Sequence, residues 1–185
     1  MATEKLYDVW ARRNPKWEIC FEEIIRQFTD YGVGASELTT ARGKTLGAAY
    51  EIYIYAFFVG LYANKKRELN GETKTFGQPI QYWGNLENRK LRKAYPRLRE
   101  YIFVALLAKT DLNLIALEKG TITDSQAVDM LKDSMEQYAN YGFYTIEEKM
   151  KDNPNYFYKH TGFLDMILDL LVPVSDSSDA EIEEL

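Results

Sequence analysis

Residues 50–69 read YEIYIYAFFVGLYANKKREL, an aromatic and aliphatic run that stops at three consecutive cations, Lys65, Lys66 and Arg67. Between Thr45 and Asn64 the one formal charge is Glu51. Such a segment enters a bilayer, forms a strand, or becomes a helix enclosed by other helices. Its fully apolar portion falls short of the roughly 20 predominantly apolar residues that span a bilayer, and its tyrosine hydroxyls would be stranded in lipid. Ile52, Tyr53, Ile54, Tyr55, Phe57, Phe58 and Val59 suit a strand as well as a helix. Length favours the helix, since strands run about 4–8 residues. A helix apolar on nearly all sides is one that others surround, and Ala56 and Gly60, four apart, leave room for a close neighbour.

The remaining segments supply the neighbours. Leu6, Val9 and Trp10 mark a short first helix that Pro15 interrupts. Trp17, Cys20, Phe21, Ile24, Ile25 and Phe28 recur at steps of three and four, which predicts one amphipathic helix over 17–28 with Glu18, Glu22, Glu23, Arg26 and Gln27 on its solvated face. Three glycines in residues 31–44 mark a loop. Residues 70–88 form another, with Asn70-Gly71 as its turn and Phe76, Ile80, Tyr82 and Trp83 pinning it to the domain surface or lining an aromatic binding site. A helix is expected from near Pro96, with Leu98, Ile102, Ala105 and Leu106 as its apolar stripe. A short one follows, closed by Gly120. Thr123 and Gln126 form a capping-box pattern at the head of the next, which Gly142 is expected to end in the left-handed conformation. FYTIEEKMK reads as another short helix. In the last helix Phe163, Ile167, Leu170 and Leu171 face the body, and Pro173 ends it.

The expected fold is therefore all-α: a single-domain irregular helical bundle over residues 1–174 around a central aromatic-rich helix. At 185 residues the chain buries about 70% of its unfolded surface, enough for a self-sufficient core. Residues 175–185 hold Asp176, Asp179, Glu181, Glu183 and Glu184 without a cation, which matches the formal net charge of −5 and predicts a disordered acidic tail. One cysteine and an amino terminus without an apolar leader fit a cytoplasmic protein.

Catalytic chemistry has few residues to work with. The sole histidine is His160, beside a helix start, where capping or surface exposure suits it better than general-base work. Cys20 reads as a small hydrophobe on an apolar face. Gly43-Lys44-Thr45 ends like a phosphate loop, but Leu38 stands where the pattern needs glycine. One histidine and one cysteine do not make a zinc site, so no cofactor or metal is expected. What remains is charge. Arg89, Lys90, Arg92, Lys93, Arg97 and Arg99 lie within eleven positions, and Lys65, Lys66 and Arg67 would supplement them if the fold joins the two clusters. Tyr82, Trp83 and Tyr95 flank the first cluster, where they would stack on bases. An acidic protein partner, or plain solvation of the charges, fits these residues equally well.

The order YEIYIYAFFVGLYANKKREL, GQPIQYW, YIFVALLAKTDLNLIALEKG, MLKDSMEQYANYGFYTIEEKM and FLDMILDLL resembles the small accessory proteins of bacterial DNA phosphorothioation systems, the Dnd system-associated proteins. The resemblance covers about residues 45–171, leaves residues 1–44 and the acidic tail outside, and rests on Tyr53, Gly60, Pro79, Trp83, Asp111, Tyr138, Asn140 and Gly142. It implies a bacterial defence setting and a non-enzymatic accessory or assembly subunit, and the expected reading is such a subunit contacting either a partner protein or nucleic acid through the basic stretch 89–99. Two alternatives stay open: a stand-alone DNA-binding or regulatory protein whose acidic tail competes for the basic surface, and an enzyme with a carboxylate site that the sequence does not reveal.

Overall fold

The computed structural model describes residues 5–31, 46–85, 95 and 97–171. The loop at 32–45, the cations Arg89, Lys90, Arg92 and Lys93, and the acidic tail lie outside them. Within the described residues the chain is largely helical: α1 (Leu6–Ala11), α2 (Glu22–Phe28), α3 (Ala49–Ala63), α4 (Arg97–Lys109), α5 (Leu114–Glu118), α6 (Asp124–Asp152) and α7 (Gly162–Leu171). Two short antiparallel strands, β1 (Lys16–Glu18) and β2 (Thr73–Thr75), complete it, with Trp17 opposite Lys74. None of the described helices is long and apolar enough to cross a membrane.

The apolar run is the helix α3, and eight of its residues are buried, from Tyr50 to Gly60. It ends where Asn64 adopts the left-handed conformation (φ 51°), with Asn64 N donating to Leu61 O and Lys65 N to Gly60 O. This pair of bonds satisfies carbonyls that the last helical turn leaves open. The chain then turns sharply, which explains why the cations begin there. α3 packs along α6 more extensively than any other pair of elements. Two glycines permit the approach: a methyl group on Gly60 would collide with the carbonyl of Tyr138, and one on Gly142 with the carbonyl of Ala56.

Gly142 therefore does not end a helix. α6 runs unbroken for 29 residues from its capping box, in which Gln126 N donates to Thr123 Oγ1 and Thr123 N to Gln126 Oε1. FYTIEEKMK lies within its last third.

The helix expected over 17–28 begins only at Glu22, because Trp17 and Glu18 are held in a strand by residues about 55 positions away in sequence. A 3₁₀ turn, Ile19–Phe21, joins strand to helix. The apolar spacing survives this change: Trp17, Phe21, Ile25 and Phe28 are all buried. Cys20, however, is exposed, and Glu18 is buried, the reverse of the helical expectation for both.

The 70–85 segment is pinned by Phe76, Ile80 and Trp83, which are buried, whereas Tyr82 is half exposed. Trp83 stacks on Tyr50 with centroids 5.3 Å apart and donates its Nε1 hydrogen to Gln78 O. In α7, Met166 is buried and Phe163, Ile167 and Leu170 are partly so, while Leu171 faces outward with Leu164 and Leu168.

Candidate binding surface

The turn at Asn64 delivers Lys65, Lys66 and Arg67 onto the flank of α6. There each cation meets a tyrosine of one helical face. The Lys66 ammonium stands 4.9 Å from the Tyr138 ring centroid, Lys65 5.8 Å from Tyr141, and the Arg67 guanidinium 3.3 Å from Tyr144. Residues 138, 141 and 144 follow at steps of three, so their rings form one row along the helix. A cation over a ring face is attracted by the ring quadrupole, by about 0.5–1 kcal/mol at exposed sites. The contact fixes the side chain without consuming its N–H donors.

Backbone bonds hold the segment in place. Arg67 N donates to Gln137 O, and the buried Asn140 donates Nδ2 to Glu68 O at 2.9 Å. All three cations are exposed. Among the described residues no carboxylate lies within ion-pair distance of them. Partial desolvation lowers the Lys66 ammonium from its ordinary value.

Beneath this strip lies a polar seam that periodicity does not disclose. Glu18 Oε1 accepts from Asn70 N (2.6 Å), Gly71 N (3.2 Å) and Asn140 Nδ2 (3.3 Å), and Oε2 accepts from the Tyr144 hydroxyl (2.9 Å) and the Cys20 thiol (3.6 Å). Desolvation pushes this carboxyl up, but the donors together outweigh it and leave Glu18 below its ordinary value. Tyr144 is pushed up to about 12, chiefly by burial and then by the Glu18 carboxylate it serves. Cys20 is likewise raised by desolvation and by Glu18, so it is not an activated thiolate. A second buried carboxylate, Glu136, one turn before Asn140 on α6, accepts from Lys16 N at 2.8 Å and is raised by burial. The two acids thus shift in opposite directions, because five donors outweigh burial at Glu18, whereas at Glu136 burial outweighs the Lys16 N–H and the Lys132 ammonium.

The other sequence candidates lie elsewhere. Trp83 is 1% exposed and stacked inside, so it offers no platform for a base. Tyr95 donates its hydroxyl to Glu51 and its backbone N–H to Gly84 O, next to the start of α3. Tyr82 is at the surface, Arg97 is exposed and Arg99 is partly buried. α4 carries the chain about 18 Å from Arg97 to Lys109, whose ammonium reaches Asn64 Oδ1 at 3.0 Å. Arg97 and Arg99 therefore sit at the opposite end of α4 from Lys65–Arg67. His160 is exposed. Among the described residues no group of three or more His, Cys, Asp and Glu side chains is placed to hold a metal ion.

Comparisons of the chain with family models, with curated proteins and with solved structures found no match.

Proposed function

We propose that this protein is a non-enzymatic accessory subunit of a DNA-associated bacterial modification or defence complex, and that Lys65, Lys66 and Arg67 form its contact with the phosphate backbone. In this reading the helices make one irregular bundle around α3, the protein works in the cytoplasm, and a partner protein holds it in the complex. The setting comes from the resemblance to the Dnd system-associated proteins. The contact comes from one observation: three consecutive exposed cations ordered on a row of three tyrosines.

That arrangement suits a polyanion for a physical reason. Free lysines lose side-chain entropy when they bind, about 1.5–2 kcal/mol each. Rings that already restrict them reduce the cost while leaving the donors outward. Phosphates, spaced regularly along a strand, match a short row of cations without any base contact, so the binding is insensitive to sequence.

The test is DNA affinity across a salt series for the native chain and for Lys65→Ala combined with Lys66→Ala. Two lost phosphate contacts lower the salt slope by about 1.8; an unchanged slope overturns the contact. The subunit role is checked by capturing the tagged protein from its host with and without nuclease. A modification enzyme, nuclease or ATPase that survives nuclease treatment supports it, and recovery of nucleic acid alone overturns it.

A further inference from the structure

The last helix buries one apolar face and leaves a second one open. In α7, Met166 is buried, and Phe163, Ile167 and Leu170 are packed against the body, with the Phe163 ring edge-on to Tyr55 at 4.9 Å and to Phe28 at 5.3 Å. Leu164, Leu168 and Leu171 stay 57%, 48% and 53% exposed. These positions, i, i+4 and i+7, fall within about 60° of one another around the helix, so they form one stripe roughly 10 Å long. Single exposed leucines are ordinary. A row of three on a helix whose other side is already packed is the pattern of a helix covered from both sides.

One edge of the stripe is acidic. Asp165 and Asp169 follow about 60–100° beyond Leu168, and α7 itself contains no cation. Asp165 Oδ2 accepts from Thr161 Oγ1 at 2.8 Å, and Asp169 Oδ2 stands 3.9 Å from Lys149 Nζ, an exposed and loose pair. Lys149 and Lys159 lean over the Tyr156 ring at 5.4 and 5.9 Å. A carboxylate offers about four acceptor positions, so Asp165 and Asp169 each keep some for a cation from outside.

We infer that the outward face of α7 docks an amphipathic helix of a partner protein, with an apolar stripe that meets Leu164, Leu168 and Leu171 and with Lys or Arg along the edge that meets Asp165 and Asp169. The surface deepens the subunit reading and rests on it for the existence of a partner. Charge decides against the other occupants. Residues 175–185 carry five carboxylates and no cation, the same sign as the edge. Antiparallel pairing of two α7 helices sets Asp165 of one copy opposite Asp169 of the other, and parallel pairing sets these carboxylates against the apolar Ile167 edge. The ten residues of α7 also fall short of the roughly 20–30 residues a side of a standard interface, whereas one helix laid on a stripe needs only a few anchors.

The experiment is fluorescence anisotropy of the full chain with a synthetic leucine-striped peptide of about 18 residues, long enough to be helical alone, carrying Lys beside the stripe. Its Glu counterpart and a scrambled Lys peptide are the comparisons. The Lys peptide should bind saturably and at least about tenfold more tightly than either, and Leu164→Ser with Leu168→Ser, both at exposed positions, should remove that margin. Asp169→Lys should weaken the Lys peptide and strengthen the Glu peptide, a reversal that misfolding does not produce. Absence of saturable binding, equal binding of the Glu or scrambled peptide, or indifference to the leucine pair overturns the inference. Light scattering that shows a dimer of the native chain, lost in the leucine pair, also overturns it and makes the stripe an interface between copies. Capture from the host with nuclease separates the two readings. A partner retained by native protein and leucine pair alike overturns the docking surface and leaves the subunit reading; capture of no protein by either overturns the subunit reading itself.

Discussion

Glu18 shows how much one residue's surroundings can depart from its sequence position. Its neighbours Glu22 and Glu23 do face solvent, and Glu22 pairs there with Arg26 and Lys74. Glu18 instead joins β1, the Asn70-Gly71 turn and α6 through five donors. Its folded-state value is lowered, so its contribution to stability is complete above the ordinary carboxylate range and disappears as pH falls through the lowered value. Glu18→Gln keeps an acceptor but turns an amide toward existing donors. It should lower stability at neutral pH by about 2 kcal/mol and flatten the acid limb of the pH profile, as read by urea denaturation across pH. An acid limb of native steepness would show that other carboxylates carry it. No spacing rule marks Glu18, because four of its donors come from residues about 50 to 125 positions away.

At the level of elements, the capping box of α6, the closing Gly120 of the α5 turn and the span of α3 were legible because each depends on a few consecutive residues. Gly142 was not, because glycine has two uses that look identical in a sequence. It permits a left-handed turn, and it also lets two backbones approach. Only the presence of Ala56 across the interface decides between them. Gly142→Ala should therefore act by collision and not by changing helix propensity, which alanine improves. The expected loss is about 3 kcal/mol, or roughly 6–12 °C in melting temperature for a chain of this size. A melting temperature that rises would mean that the two helices are farther apart than described. β1 was missed for a related reason. Its partner strand is contributed by a distant loop, and the three-four spacing of Trp17 to Phe28 is satisfied by burial whether or not the first residues are helical.

Across the whole molecule, Lys65–Arg67 and the pair Arg97 and Arg99 lie at opposite ends of α4, with about 15 Å of helix between Arg99 and Lys109. Groups so separated should behave additively. In DNA binding, the Lys65→Ala and Lys66→Ala pair should weaken affinity more than Arg97→Gln does, and in the combined variant the coupling should stay within about 0.5 kcal/mol. A larger coupling would make the two groups one surface. The cations were visible as residues, but whether the fold joins their two clusters was not: Arg97 and Arg99 lie at the far end of α4 from Lys65, Lys66 and Arg67. The sequence by itself determined a largely helical chain, the place where its most apolar helix stops, and the shortage of histidine and cysteine, since these follow from composition and local spacing. Only the tertiary structure decided that Glu18 is buried, that Trp83 is internal, and that each cation of 65–67 meets a ring. Those depend on contacts between distant segments, which side-chain packing selects and local periodicity does not encode.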